Sequence, residues 1–78
     1  MKAIINLVVE PVRISEICRE LAEIKEIVRV YEITGEYDVL VEVETSSIDE
    51  FKKTLKEKIL KIKGVKLTES SIVLEEWK

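Results

Sequence analysis

Apolar and polar residues follow two different periods along this chain, and these periods predict strands and helices in turn. Residues 3–9, AIINLVV, are a continuous apolar run rich in β-branched side chains, which is typical of a strand covered on both faces. Pro11 ends this strand. In residues 13–25 the apolar positions recur every three or four residues, which predicts an amphipathic helix. These positions are Ile14, Ile17, Leu21 and Ile24, with Cys18 beside them.

The next apolar segments predict a hairpin. Residues 26–33, EIVRVYEI, and residues 38–44, DVLVEVE, are rich in β-branched residues, and the segment between them contains Gly35. Glycine adopts a positive φ angle without steric cost, as tight turns require. The sequence therefore predicts two antiparallel strands joined by a turn at residues 34–38. We call this segment the acidic turn because it carries two carboxylates.

A second helix and a last strand complete the predicted fold. Ser47 and Glu50 have the spacing of a capping box, which predicts a helix that begins there and runs to about residue 63. Gly64 ends this helix, and residues 67–77, LTESSIVLEEW, predict the final strand. The order β-α-β-β-α-β is that of a ferredoxin-like α+β fold, a four-stranded antiparallel sheet with both helices on one face.

The face of the sheet that the helices leave uncovered is predicted to be apolar. In an antiparallel sheet with one solvated face, that face is expected to be polar. Alternation along the strands instead places apolar residues on both faces. Ile4 and Val8 lie opposite Ile5, Leu7 and Val9, Val28 and Val30 lie opposite Ile27 and Ile33, and Leu40 lies opposite the valines of its own strand. A face this apolar is normally covered, and a second copy of the same sheet is the simplest cover. The sequence therefore predicts a homodimer, built as a dimeric α/β sandwich or barrel.

Length, composition and charge narrow the possible functions. A core of 78 residues rarely supplies more than about 3–5 kcal/mol of net stability. The single cysteine and the absence of histidine leave no disulfide and no usual zinc ligand set, so oligomerisation is the expected support. The net charge of −3, without a basic stripe, predicts no direct binding to nucleic acid. No signal peptide or membrane span is predicted, and a cytoplasmic protein is expected.

Candidate chemistry is sparse outside the acidic turn. Cys18 has no histidine to act as its base and is expected to be a buried small hydrophobic residue. No catalytic residue, metal site or cofactor is predicted. The acidic turn allows two interpretations. Its acids and hydroxyls can satisfy nearby backbone N–H groups, or they can bind a ligand. As an exposed turn carboxylate, Asp38 is expected to contribute little to folding.

The segments around this turn resemble a known family. Residues 26–45, EIVRVYEITGEYDVLVEVET, followed by residues 62–78, IKGVKLTESSIVLEEWK, are similar to the effector-binding domain of the Lrp/AsnC transcription regulators. The resemblance spans essentially the whole chain and implies one ligand-binding domain over residues 1–78. Family regulators carry an N-terminal helix-turn-helix domain of about the same size. This chain begins at the first strand, so it resembles a stand-alone form.

The resemblance also implies a ligand site and an assembly. Family domains dimerise through their sheets, and the dimers assemble into tetramers, octamers, decamers or larger rings. Small amino acids bind between dimers at the hairpin turn. A zwitterion needs a carboxylate for its ammonium group and N–H groups for its own carboxylate. Ser70 stands where the family often has a threonine. The ligand-binding residues implied in this way are Thr34, Gly35, Glu36, Tyr37, Asp38 and Ser70.

The function predicted from these observations is amino-acid sensing by an oligomer. The domain is expected to modulate transcription or amino-acid metabolism through ligand-dependent assembly or association with a full-length regulator. One alternative is a cofactor-free dimeric ferredoxin-like enzyme, a monooxygenase or isomerase. The absence of histidine argues against it, because such chemistry usually needs a histidine or a polar cluster. Another alternative is a purely structural oligomerisation module, in which the turn only makes contacts.

Overall fold

The fold has the predicted element order. A computed structural model describes residues 1–78. It contains strands β1 (Lys2–Val9), β2 (Ile27–Glu32), β3 (Val39–Glu44) and β4 (Val65–Ile72), and helices α1 (Ile14–Ala22) and α2 (Ile48–Thr54). A 3₁₀ turn, Pro11–Arg13, leads into α1, and a π-helical turn, Leu55–Ile59, extends α2. The prediction of a ferredoxin-like α+β fold is confirmed.

The four strands form one antiparallel sheet in the order β2-β3-β1-β4. Strand β1 is central and pairs with both β3 and β4. The inward rows of β1 and β3 are fully or almost fully buried and form one core with side chains from the two helices. The core residues are Ala3, Ile5, Leu7, Val9, Ile17, Leu21, Ile27, Val39, Val41, Val43, Phe51 and Ile59. No helix is long and apolar enough to cross a membrane.

The opposite side of the sheet, here called the open face, carries apolar side chains that no helix covers. Residues paired across an antiparallel ladder point to the same face. Leu40 pairs with Tyr31 of β2, and Val8 pairs with Leu67 of β4. Tyr31 is 43% exposed and Leu67 is 56% exposed, while Ile4, Val8 and Leu40 are half-buried. The predicted placement of Ile4, Val8 and Leu40 opposite the other apolar residues of their strands agrees with the register.

The predicted alternation of side chains along β2 is wrong because this strand contains a bulge. The register shifts between Ile27 and Arg29. A bulge places two residues of one strand against one residue of its neighbour, so alternation changes phase there. Ile27 and Val30 therefore both lie on the helix-covered face, opposite two valines of β3. The prediction that Val28 and Val30 share the face opposite Ile27 is therefore wrong, since Val30 shares the face of Ile27 and Val28 lies exposed in the bulge.

The predicted cap of α2 by Ser47 is confirmed, but the Glu50 side chain bonds to Ser46 and not to Ser47. The Ser47 hydroxyl accepts a hydrogen bond from the Glu50 N–H at 3.1 Å. The Glu50 carboxylate returns to Ser46, accepting from its N–H at 3.2 Å and from its hydroxyl at 2.9 Å. In a regular capping box the acid would bond to the capping residue itself. The carboxylate of Glu50 is thus engaged in holding the start of α2.

Candidate functional site

The acidic turn joins β2 to β3 and is open at its tip. The Ile33 N–H donates to the Asp38 carbonyl at 2.9 Å and closes the turn. Gly35 has φ = +109°, and no atom lies within 4 Å of the position that a Cβ would take. The glycine is therefore required by its backbone angle and not by crowding. Space above the turn is left free for a ligand or a neighbouring chain.

Asp38 connects the turn to the end of β1. Its Oδ2 accepts a hydrogen bond from the Val9 N–H at 2.9 Å, and its own N–H donates to the Leu7 carbonyl at 2.9 Å. Val9 is buried, so this N–H has no access to water as an alternative partner. This hydrogen bond argues against the expectation that Asp38 contributes little to folding. Its other oxygen, Oδ1, accepts no hydrogen bond within the chain and remains available.

Replacing Asp38 by alanine is expected to lower the free energy of unfolding by about 1–3 kcal/mol, because the buried Val9 N–H loses its acceptor. Asp38→Asn keeps a side-chain oxygen at this place and should retain most of the stability. Urea unfolding of both variants measures the difference. Equal stability of Asp38→Ala and the wild type would show that the bond to Val9 contributes nothing.

Tyr37 lies beside Glu69, which the sequence analysis did not select. Partial burial and the nearby Glu69 carboxylate raise the pKa of the Tyr37 hydroxyl above its ordinary value, and Glu36 adds to the shift. Glu69 pairs with Asn6 in the β1–β4 ladder. It therefore projects from the open face, and Tyr37 meets it there. Alternation along β4 could have indicated Glu69, but only once the register against β1 was known.

Ser70 is not brought to the acidic turn. It pairs with Ile5, whose side chain is buried under the helices, so Ser70 lies on the helix-covered side of an edge strand. Its neighbour Glu69 takes the opposite side. Thr34 and Glu36 are exposed in the turn. Within one chain the acidic turn therefore lies beside Glu69 and not beside Ser70. The ligand-binding role of Ser70 remains a prediction.

The surroundings of Cys18 do not activate its thiol, and the acidic residues form no metal-binding cluster. The Cys18 thiol is half-buried on α1. Burial raises its pKa, and the nearby Glu32 raises it further. A raised pKa lowers the thiolate fraction, and the thiolate is the nucleophile. No group of three or more His, Cys, Asp and Glu side chains is placed to hold a metal ion.

Comparison with known proteins decides the family. The family model of the Lrp/AsnC ligand binding domain matches residues 2–78. The chain belongs to the Lrp/AsnC family. Among curated Lrp/AsnC-type relatives, the HTH-type transcriptional regulator FL11 of Pyrococcus horikoshii is 40% identical over 78 residues, which are 100% of this chain and 51% of FL11. The chain spans about half the length of the curated relatives it matches.

Solved Lrp/AsnC structures share the fold. The structure of E. coli AsnC superposes with a TM-score of 0.94 at 26% identity, covering 99% of this chain and 52% of AsnC. The complex of the Neisseria meningitidis transcriptional regulator NMB0573 with L-Met superposes with a TM-score of 0.91 at 23% identity, covering 99% and 51%. These relatives and neighbours are transcription regulators, and the prediction that the chain is not an enzyme is confirmed.

Proposed function

We propose that this chain is an amino-acid-sensing domain that binds its effector at the acidic turn. The observation that carries the proposal is the placement of Tyr37 beside Glu69, which projects from the open face. Asp38, the next residue of the turn, has a carboxylate oxygen that makes no bond within the chain. The carboxylates of Glu69 and Asp38 are acceptors that an ammonium group can use. The open tip at Gly35 leaves backbone groups accessible to the ligand carboxylate.

The site is expected to be completed by a second copy. The turn and Glu69 cover one side of a ligand, and no pocket encloses this region within the single chain. Binding between copies supplies the second wall and couples occupancy to assembly. The structure of NMB0573 is described as an L-Met complex, which supports an amino acid as the ligand class for a related domain.

Thermal unfolding with each of the twenty standard amino acids tests the proposal. A ligand present at 100 times its dissociation constant stabilises the folded state by about 2.7 kcal/mol per site, which is large for a domain of this size. Glu69→Gln and Tyr37→Phe should reduce the shift without unfolding the protein. Glu75→Gln, an exposed acid beyond β4, is the matched control. If no amino acid raises the melting temperature, the sensing function is wrong.

The open face is proposed as the dimer interface. It presents a band of apolar side chains, including Leu67 and Tyr31, that no part of the same chain covers. Burying it against a second copy removes that surface from water. Dimers of this kind are proposed to assemble further into tetramers, octamers or decamers. They are also proposed to associate with a full-length Lrp/AsnC regulator and so to modulate transcription.

A purely structural oligomerisation module is the second candidate. The hydrogen bond between Asp38 and Val9 favours it, because it gives one acid of the turn a role in folding. The two functions differ in one measurable respect. A structural module assembles equally with and without amino acids, whereas a sensor changes its melting temperature or its assembly state when the effector is added.

A further inference from the structure

A concave region lies at the end of the sheet opposite the acidic turn. It is formed by α2, by the π-helical turn and by the segment that precedes β2. Its volume is about 450 Å³, within the range of small-ligand sites. No apolar residue lines it. We call it the α2 cleft, and its lining residues are Glu26, Asp49, Glu50, Lys53, Thr54 and Lys58.

The floor of the α2 cleft contains a buried hydroxyl. Thr54 is 2% exposed and lines the cleft. Its hydroxyl makes no hydrogen bond within the chain. Every side-chain polar atom that is inaccessible to solvent has a hydrogen-bond partner, so the Thr54 hydroxyl must be accessible to solvent. The hydroxyl therefore opens toward the cleft. A buried polar group without a partner in the protein is normally matched by water or by a ligand.

Three of the five charged residues that line the cleft are already engaged. Lys58 Nζ contacts the Glu26 carboxylate at 2.9 and 3.1 Å, and the Glu26 side chain is only 10% exposed. The hydrogen bond from Lys58 lowers the pKa of Glu26, which keeps this carboxylate charged. Glu50 bonds to Ser46 at the start of α2. These contacts fix the walls of the cleft.

The remaining two charges are free and opposite. Asp49 and Lys53 lie four residues apart on α2, a spacing at which an acid followed by a lysine commonly pairs. No ion pair joins them, and neither pairs with another residue. One free carboxylate and one free ammonium group thus line the same cleft as Thr54. This arrangement matches a ligand that carries both charges.

We propose that the α2 cleft binds a small zwitterionic compound, with Lys53 holding its anionic group, Asp49 its cationic group and the Thr54 hydroxyl a polar atom between them. The site is separate from the acidic turn and does not depend on the function proposed for the turn. It gives the domain a second ligand contact within one chain.

Amide chemical shifts of the isotope-labelled protein, titrated with L-serine, L-glutamine and γ-aminobutyrate at millimolar concentration, test this site. Shifts are expected at residues 49–58 and at Glu26. Acetate and methylammonium, which carry one charge each, should perturb these amides less. Lys53→Met should weaken binding about tenfold to hundredfold, and Thr54→Val about threefold to tenfold. Lys52→Met is the matched control, because Lys52 lies outside the cleft.

If Thr54→Val proves unstable, Lys53→Met still tests the site. Lys53 is exposed, so its substitution should leave the fold intact. Glu69→Gln separates the two sites, since it should leave the shifts at the α2 cleft unchanged even if it abolishes binding at the turn. Absence of shifts at residues 49–58, or equal weakening by the Lys52 and Lys53 variants, would overturn the proposal. Shifts confined to the acidic turn would overturn it as well.

Discussion

Replacing Gly64 by alanine is expected to lower the free energy of unfolding by about 2–6 kcal/mol. Gly64 has φ = +97°, where an L side chain is strained by about 1–3 kcal/mol. Its new Cβ would also lie 2.9 Å from Arg13 Cδ and 2.9 Å from Ile17 Cδ1. Ile17 is fully buried in the core, so it cannot move away without overpacking its neighbours, at a cost of about 1–3 kcal/mol.

Gly35 provides the matched control, because it has the backbone angle without the crowding. At φ = +109° and with no atom within 4 Å of a built Cβ, Gly35→Ala should cost only the backbone strain of about 1–3 kcal/mol. Urea unfolding of both variants gives the comparison. Equal losses would mean that the contacts of Gly64 with α1 and the 3₁₀ turn add nothing to the effect of the backbone angle.

Leu40→Lys is expected to separate the proposed dimer. Leu40 lies near the middle of the open face, between Tyr31 of β2 and Asn6 of β1. A lysine there would place an uncompensated charge in the interface of each copy, at a cost of about 3 kcal/mol or more. Such a loss weakens association roughly hundredfold or more. Sedimentation velocity should then report a species near the 9.0 kDa mass of one chain.

Leu60→Lys is the control for this experiment. Leu60 is an exposed leucine that follows the π-helical turn and does not belong to the sheet. Its substitution adds the same charge and should leave the assembly unchanged. Circular dichroism establishes that both variants are folded. A wild-type protein that sediments as a monomer at micromolar concentration, or a Leu40 variant that remains a dimer, would refute the assigned interface.

Local signals in the sequence were sufficient for the elements and for some of their ends. The periods of β1 and α1, the Ser47 cap and the two glycines with positive φ all depend on residues a few positions apart. The structure agrees with each of these predictions. Other ends were predicted wrongly. Helix α1 ends at Ala22, regular α-helix in α2 ends at Thr54, and the last strand spans Val65–Ile72 instead of residues 67–77.

Features that depend on register could not be predicted in the same way. The bulge in β2 moves Val30 to the helix-covered face, and the residues of β2 alone do not indicate that a bulge is present. Glu69 meets Tyr37 only because β4 pairs with β1 in one particular alignment. The bond from Val9 to Asp38 joins residues 29 positions apart. Such contacts are set by the three-dimensional pairing of distant strands and leave no periodic trace in the sequence.

The central place of β1 has a consequence for how the domain is made. This strand comes first in the chain, but its partner β4 comes last. During synthesis the apolar, uncharged run AIINLVV has one open edge until β4 has emerged, and such segments pair readily with like strands of other chains. Folding that requires distant contacts is also slow. The yield of soluble protein therefore depends on how quickly β4 closes that edge.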